Sequence, residues 1–269
     1  MSEVDRTLSG VAHASMIRFL IVGTQRTGSS ALGEAIGLHP RVYCGWEWTQ
    51  RVPFLQKIDI AKAALDARFD VLPAHHRKHA LESMDGATQV IGFRRLFRSS
   101  DKWILHPALS PALVLDRLDA HLKWLENSPD IRIIHIVRRR NATWIKSKAL
   151  SSATGKYFGE AYPEDVRETV DIPAALKRVV AKNWVDNRLA RLRGTNPYLR
   201  MSYEDFLRDN RRYAIEAIHF LGGDPELLPT LEMNAKPQSD SGAQVLNEDE
   251  LEQALLREGL AESKLMDEA

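Results

Sequence analysis

The sequence has few of the features that mark secreted, membrane-spanning or nucleic-acid-binding proteins. Only one of its 269 residues is a cysteine, Cys44, which excludes an internal disulfide and favours a reducing compartment. No apolar run approaches the ~20 residues of a membrane span, and residues 1–15 lack the apolar centre of a signal peptide. The net charge of +1 gives no overall attraction to nucleic acid. We therefore expect a cytoplasmic protein without a transmembrane segment or a nucleic-acid partner.

The chain is long enough for one large α/β domain with a full core. Short apolar strands alternate with helical patterns, which predicts a central parallel sheet covered by helices on both faces, a three-layer fold. We expect a loose N-terminus over 1–16 and a single domain over 17–269. Strands are predicted at 17–22, 89–94, 131–137 and 198–201; helices are predicted at 53–69, 73–83, 111–126, 172–193, from Ser202 to Gly222, and from Asn247 onward.

The most informative stretch, residues 17–39, indicates a strand, a glycine-bounded loop and an amphipathic helix. Such a loop directs several backbone N–H groups to one place, where the helix dipole also favours negative charge. The stretch therefore predicts a P-loop-like cradle for phosphate or sulfate. The cradle residues are Arg26, Thr27, Gly28, Ser29 and Ser30, and the apolar face of the helix is Ala31, Leu32, Ala35, Ile36 and Leu38.

The loop sequence GTQRTGSS, residues 23–30, departs from the nucleoside-triphosphatase pattern G-x-x-x-x-G-K-[ST]. Ser29 stands where the lysine belongs, and a cation appears inside the loop at Arg26 instead. The string R-T-G-S-S-x-L resembles the 5′-phosphosulfate loop of sulfotransferases. The resemblance implies 3′-phosphoadenosine 5′-phosphosulfate (PAPS) as donor, 3′-phosphoadenosine 5′-phosphate (PAP) as product and no required metal. It also implies that Arg26 stabilises the leaving 5′-phosphate.

A second group of basic residues ends the buried strand at 131–137. Arg138, Arg139 and Arg140 follow that strand, and Ser147 lies about two turns into a helix that begins near Asn141. An arginine and a serine placed this way can converge on one phosphate. Three arginines at a helix start oppose the helix dipole unless an anion is bound. The pattern resembles the 3′-phosphate site of sulfotransferases, although the usual Asp-Pro is absent, so either Arg138 or Arg139 takes that role.

The acceptor hydroxyl needs a general base within hydrogen-bonding distance. Glu47 is our first candidate, because carbohydrate-type relatives place a glutamate there and the flanking Trp46 and Trp48 favour a raised pKa. His106 is the alternative base. Arg94, at the end of the second predicted strand, is a further candidate for stabilising charge near the transferred group.

The later chain carries weaker resemblance. Residues 199–222 are similar to a late strand and Y-E-D helix of sulfotransferases, and 236–251 are similar to the tail of bacterial lipopolysaccharide and carbohydrate-type members, with Lys236 as a donor contact. Transfer to a hydroxyl on a carbohydrate, a lipid-linked molecule or a small molecule is the expected function. A P-loop kinase or triphosphatase and a non-catalytic nucleotide-binding module are the alternatives. The acceptor's identity and the oligomeric state stay open.

Overall fold

The computed structural model describes residues 16–45, 57–66, 74–84, 88–97, 111–156, 162–229 and 242–263. Its strands are β1 (Ile17–Thr24), β2 (Val42–Gly45), β3 (Val90–Phe97), β4 (Arg132–Val137), β5 (Arg167–Glu168), β6 (Tyr198–Ser202) and β7 (Gln244–Val245). Its helices are α1 (Ser29–Gly37), α2 (Lys57–Leu65), α3 (Ala74–Ser83), α4 (Pro111–Glu126), α5 (Asn141–Thr154), α6 (Ile172–Ala190), α7 (Tyr203–Arg208), α8 (Asn210–Phe220) and α9 (Glu248–Arg257).

Five strands form a parallel sheet in the order β2-β3-β1-β4-β6. β1 lies at the centre, where Ile21 pairs with Arg94 of β3 on one side and with Ile134 of β4 on the other. Because the strands are parallel, their carboxyl ends share one edge of the sheet. The loop that follows β1 and the turn that follows β4 are therefore neighbours.

Alternate residues of β1 fill the two cores on either side of the sheet, as period-two side-chain geometry requires. Phe19 and Ile21 pack in one core with the apolar faces of α1 and α8. Leu20 and Val22 pack in the other with buried residues of α2, α4 and α6. All four side chains are fully buried. The predicted P-loop-like, three-layer α/β fold with a central parallel sheet is confirmed.

A third apolar cluster fixes α5, the helix that carries Ser147. Trp144 and Ile145 of α5 are buried there against Val179 of α6 and against Leu251 and Leu255 of α9. The short strands β5 and β7 pair in parallel beside this cluster. Within the part of the chain described, no helix has both the length and the apolar composition to cross a bilayer.

Several predicted helix bounds were wrong. The single helix expected from Ser202 to Gly222 is two helices. The non-helical backbone at Asp209 (φ −148°) ends α7, and the Asp209 side chain caps α8 by accepting from the N–H of Arg212. α6 ends at Ala190 and continues as a 3-10 turn, Arg191–Gly194. Leu38 is 51% exposed and lies outside the buried face of α1.

The strand predictions erred in length and in number. β3 continues three residues beyond the expected end, to Phe97. The edge strand β2 and the pair β5–β7 were not predicted. These strands are two to four residues long, too short for an alternating apolar pattern to be recognised. The predicted helices at 111–126 and beyond Asn247 are confirmed.

Candidate functional site

The carboxyl ends of β1 and β4 approach each other very closely. A Cβ atom on Gly23 of β1 would lie 2.6 Å from the carbonyl oxygen of Ile136 in β4. A larger side chain at Gly23 would therefore separate the two strands at the place where the β1–α1 loop, residues 25–28, begins.

Gly28 closes this loop and is the N-cap residue of α1. Its φ of 86° is left-handed, and an added Cβ would lie 2.2 Å from a ring carbon of Tyr203, so glycine is required twice over. As a glycine, Gly28 has no side chain with which to cap α1, and the first turn of the helix holds no acidic residue. The first N–H groups of a helix have no acceptor within the helix, so this helix start suits an anion.

Arg26 has a left-handed backbone conformation, and its side chain is hydrogen-bonded. Its φ of 65° makes it the one non-glycine residue with positive φ among the residues described, a conformation that costs energy outside glycine. Its Nε donates to Ser147 Oγ at 3.1 Å, and its Nη2 donates to Tyr162 Oη at 3.2 Å. The Tyr162 hydroxyl in turn donates to the backbone carbonyl of Ser147 at 3.2 Å. The two predicted anion-binding groups are thus joined through Arg26.

Arg138 lies against the same loop. Its Nη1 donates to the carbonyl oxygen of Arg26 at 3.3 Å, and its Nε donates to Thr143 Oγ1 at 3.2 Å. The guanidinium is stacked 4.7 Å from the ring centroid of Tyr203. Burial lowers the pKa of Arg138, which means that its charge is poorly solvated and that a bound anion would replace missing water.

Arg139 turns away from the loop. Its Nη2 donates to Asp205 Oδ1 at 3.2 Å, while its backbone N–H and that of Arg140 donate to the carboxylate of Glu204 at 3.0 and 2.9 Å. The carboxylates of Glu204 and Asp205 thus balance part of the positive charge at this turn without a bound anion. Arg138 is the arginine of the three whose side chain bonds to the β1–α1 loop in the described structure.

Glu204 is held in its charged form. Burial raises its pKa, but hydrogen bonds from the backbone N–H groups of Arg140 and Arg139 and from the Ser202 hydroxyl outweigh that effect, so its pKa lies below the ordinary value. The α7 helix that carries Glu204 begins where it was expected, with the Ser202 side chain accepting from the N–H of Asp205.

A buried polar cluster links His135 of β4 with Asp186 and Lys182 of α6. His135, predicted as a hydrogen-bonded core residue, has Nδ1 2.6 Å from Tyr198 Oη and Nε2 3.7 Å from Asp186 Oδ1. Lys182 Nζ donates to Asp186 Oδ2 at 3.0 Å. Burial raises the pKa of Asp186, but the positive charge of Lys182 and the hydrogen-bonding His135 ring lower it by more. The pKa of Asp186 therefore lies below its ordinary value, and the side chain is a carboxylate.

Other predicted site residues are described only in part or not at all. Glu47, His106 and Lys236 lie outside the described residues. The Arg94 backbone pairs with Ile21 inside the sheet, three residues before β3 ends.

Sequence reasoning missed three residues that line the site: Thr143, Tyr162 and Tyr203. Tyr203 stood in a recognised motif but carried no assigned role. Tyr162 lies in a segment without periodicity, and Thr143 has no distinctive spacing. Only the folded chain brings them to Arg26 and Arg138.

The sequence matches the model of a known protein family over most of its length. The model of the "Sulfotransferase family" matches residues 18–225, a span that includes Arg26, Arg138 and Ser147. No curated protein matches the sequence.

Solved structures with similar chains include three bacterial sulfotransferases. One, from Alicyclobacillus acidocaldarius, has 16% identity and a TM-score of 0.45, with 89% of this chain and 93% of that chain covered. The sulfotransferase domain of a Synechococcus olefin synthase has 15% identity and a TM-score of 0.42, with 82% and 81% covered. The sulfotransferase STF1 of Mycobacterium tuberculosis has 12% identity and a TM-score of 0.42, with 93% and 80% covered.

Proposed function

The chain belongs to the sulfotransferase family, and we propose that it transfers a sulfuryl group from PAPS to a hydroxyl group of an acceptor. The observation that carries this proposal is the meeting of the β1–α1 loop with the end of β4. There Arg26 donates to Ser147, and Arg138 donates to the carbonyl of Arg26. A nucleotide with phosphate groups on both its 5′ and 3′ oxygens matches two adjoining anion-binding groups.

The start of α1 would hold the 5′-phosphate of the donor. The glycine at its N-cap, position 28, and the lack of acidic residues in its first turn fit an anion. Thr27 donates through Oγ1 to the carbonyl of Thr24 at 2.8 Å, which stabilises the loop. Ser29 and Ser30 supply the first N–H groups of the helix.

Arg138 and Ser147 would hold the 3′-phosphate. Arg138 is the better candidate because Arg139 is paired with Asp205 and Glu204. Arg26 now donates to Ser147, so we expect its guanidinium to turn toward the 5′-phosphate when the donor binds. Lys236 is retained as a further donor contact.

The donor supplies the sulfuryl group, which passes from its 5′-phosphate oxygen to the acceptor oxygen. Catalysis then consists mainly of positioning and of electrostatic stabilisation. Arg26 would neutralise the charge that grows on the 5′-phosphate as it leaves, by analogy with phosphoryl transfer. Arg94 would act near the transferred group.

The acceptor loses a proton to a base, which we assign to Glu47, with His106 as the alternative. Glu47→Gln keeps the shape of the side chain and removes its basicity. We expect kcat to fall roughly 10²–10⁴-fold while PAP affinity stays near that of the wild type. Normal turnover in Glu47→Gln and loss in His106→Gln would reverse the assignment. A protein that binds PAP but transfers nothing to a panel of carbohydrate, lipid-linked and small-molecule hydroxyls would be the non-catalytic binding module.

Thermal unfolding tests the donor directly. PAP in EDTA at about 100 times its Kd should raise Tm by roughly 5–10 °C, because a ligand specific to the folded state stabilises it. ATP with Mg²⁺ and NAD at the same concentrations should have little effect. Stabilisation by ATP with Mg²⁺ but not by PAP would favour the kinase or triphosphatase alternative instead.

A further inference from the structure

A tryptophan inside α5 contacts the backbone of the β1–α1 loop. Trp144 is completely buried, and its indole Nε1 donates to the carbonyl oxygen of Gln25 at 2.7 Å. Gln25 immediately precedes Arg26, and Trp144 lies three residues before Ser147, hence on the same side of α5. One helix therefore holds the loop both through the backbone of Gln25 and through the side chain of Arg26.

This contact determines the direction of a loop N–H group. In a trans peptide, the C=O of one residue and the N–H of the next point in opposite directions. Because the Gln25 carbonyl is held toward Trp144, the N–H of Arg26 points away from α5. Arg138 does the same for the next peptide unit, since its Nη1 donates to the carbonyl of Arg26 at 3.3 Å.

Two successive carbonyls of the loop, those of Gln25 and Arg26, thus accept hydrogen bonds from protein side chains, and the N–H groups of Arg26 and Thr27 point away from those donors. A loop that surrounds an anion needs this separation, because carbonyl oxygens repel the charge that N–H groups attract. The left-handed φ of Arg26 is strained. The hydrogen bonds to the peptide units before and after Arg26, from Trp144 and Arg138, are needed to maintain it.

The indole itself is firmly held. Lys148 Nζ and Lys182 Nζ lie 5.2 and 5.8 Å from the centroid of its ring, within the range of cation–π attraction. Lys182 is in turn anchored by its ion pair with Asp186 and by a hydrogen bond to Ser263. Rotation of Trp144 would disrupt these contacts, so its N–H keeps one direction.

We propose that Trp144 is a positioning residue of the donor site, a role that rests on the proposed function. Its indole N–H fixes the Gln25–Arg26 peptide so that the loop presents N–H groups to the 5′-phosphate. It acts through Gln25 and touches neither phosphate. Removing this hydrogen bond should therefore weaken recognition of the 5′-phosphate and spare that of the 3′-phosphate.

Three nucleotides separate the two ends of the site: PAP, adenosine 5′-monophosphate and adenosine 3′-monophosphate. Calorimetric titration of Trp144→Phe should show about fivefold weaker binding of PAP and of the 5′-monophosphate, the loss expected for one hydrogen bond. Binding of the 3′-monophosphate should change less than twofold. Trp124→Phe is the matched control, because Trp124 is buried in a different apolar cluster from Trp144 and is not part of this site. Equal losses for both monophosphates, or no loss, would overturn the proposal.

NMR relaxation of the ligand-free protein tests the same contact without a nucleotide. Backbone order parameters of residues 25–28 should be lower in Trp144→Phe than in the wild type and in Trp124→Phe; unchanged order parameters would overturn the proposal. Lower order parameters in a protein whose wild type binds no PAP would support the loop contact and contradict the proposed function alone. Should Trp144→Phe not fold, 3-benzothienylalanine at position 144 keeps both rings and removes only the N–H, and the same outcomes apply.

Discussion

The turns after β1 and β4 lie side by side at one edge of the sheet, yet they offer an anion different atoms. The β1 turn leads into a helix whose N-cap is a glycine and whose first turn holds no acidic residue, so in the proposed function it contributes backbone N–H groups. In the β4 turn the N–H groups of Arg139 and Arg140 already bind Glu204, and that of Asn141 binds the carbonyl of Ala261. This turn therefore offers side chains, Arg138 and Ser147.

Three helices outside the site begin with carboxylates of a kind that the start of α1 lacks. Asp171 and Asp209 cap α6 and α8 through their side chains, and α9 begins with three acidic residues. Such carboxylates stabilise a helix start. The lack of an acidic residue in the first turn of α1 fits the proposed binding of a phosphate there.

The largest effect should come from the side chain that the β4 turn contributes. Arg138→Ala should weaken PAP binding roughly 10–100-fold, since a charge-assisted hydrogen bond is worth about 1.5–3 kcal/mol. Arg139→Ala is the control and should cost less than threefold, because Arg139 is paired with Asp205. Calorimetric Kd values decide, and a larger loss in Arg139→Ala would assign the 3′-phosphate to that residue.

Removing the carboxylate that occupies the β4 turn should affect stability. The pKa of Glu204 lies below its ordinary value of 4.5, so its charge stabilises the fold above that pH, and this contribution is lost as the pH falls through the lowered pKa. Glu204→Gln should lower the free energy of unfolding by about 2 kcal/mol at pH 7. Urea denaturation from pH 7 to pH 3 should show the difference from wild type shrinking below pH 4.5; a constant difference would contradict the pairing.

Adding a carboxylate to the β1 turn should stabilise the ligand-free protein and weaken the binding of PAP. Ser30→Asp places a negative charge in the first turn of α1, which should stabilise the ligand-free protein by about 0.5 kcal/mol. The same charge should weaken PAP binding roughly tenfold or more through repulsion. Ser30→Asn, of similar shape and without charge, separates the electrostatic effect from the loss of the hydroxyl. Equal PAP affinity in the two variants would show that the anion does not bind at α1.

The smallest effect should come from the neutral partner at the β4 turn. Ser147→Ala removes one hydroxyl and should weaken PAP binding about fivefold, the value of one neutral hydrogen bond. Thr154→Ala at the end of the same helix is the control, since its hydroxyl donates to the carbonyl of Leu150 and accepts from the N–H of Lys156. Similar binding by both variants would remove Ser147 from the site.

The parts of the site that the sequence predicted depend on local patterns. Two patterns are each encoded within a short stretch of sequence. One is the strand, glycine loop and helix at residues 17–39, and the other is the arginine followed by a serine at 138–147. Their proximity follows from the rule that parallel strands end at one edge. Glu204 and Trp144 were not predicted to take part, because their contacts with Arg139, Arg140 and Gln25 join residues far apart in the chain. No spacing rule reports such contacts.

The fold shows the same division. The core strands β1 and β4 are predicted by their apolar runs, whereas the break at Asp209 depends on one residue acting as a cap. The choice between Arg138 and Arg139 was open because both follow the same strand. Arg139 is directed away by its ion pairs with Glu204 and Asp205, which belong to another helix.

Amide hydrogen exchange with and without PAP, in EDTA, tests most directly whether the two turns bind with different atoms. We predict strong protection of residues 26–31 on addition of PAP, because their N–H groups gain a phosphate acceptor. We predict little change at residues 139–141, whose N–H groups already have acceptors in Glu204 and Ala261. New protection at 139–141 without protection at 26–31, or binding that needs Mg²⁺, would contradict the account.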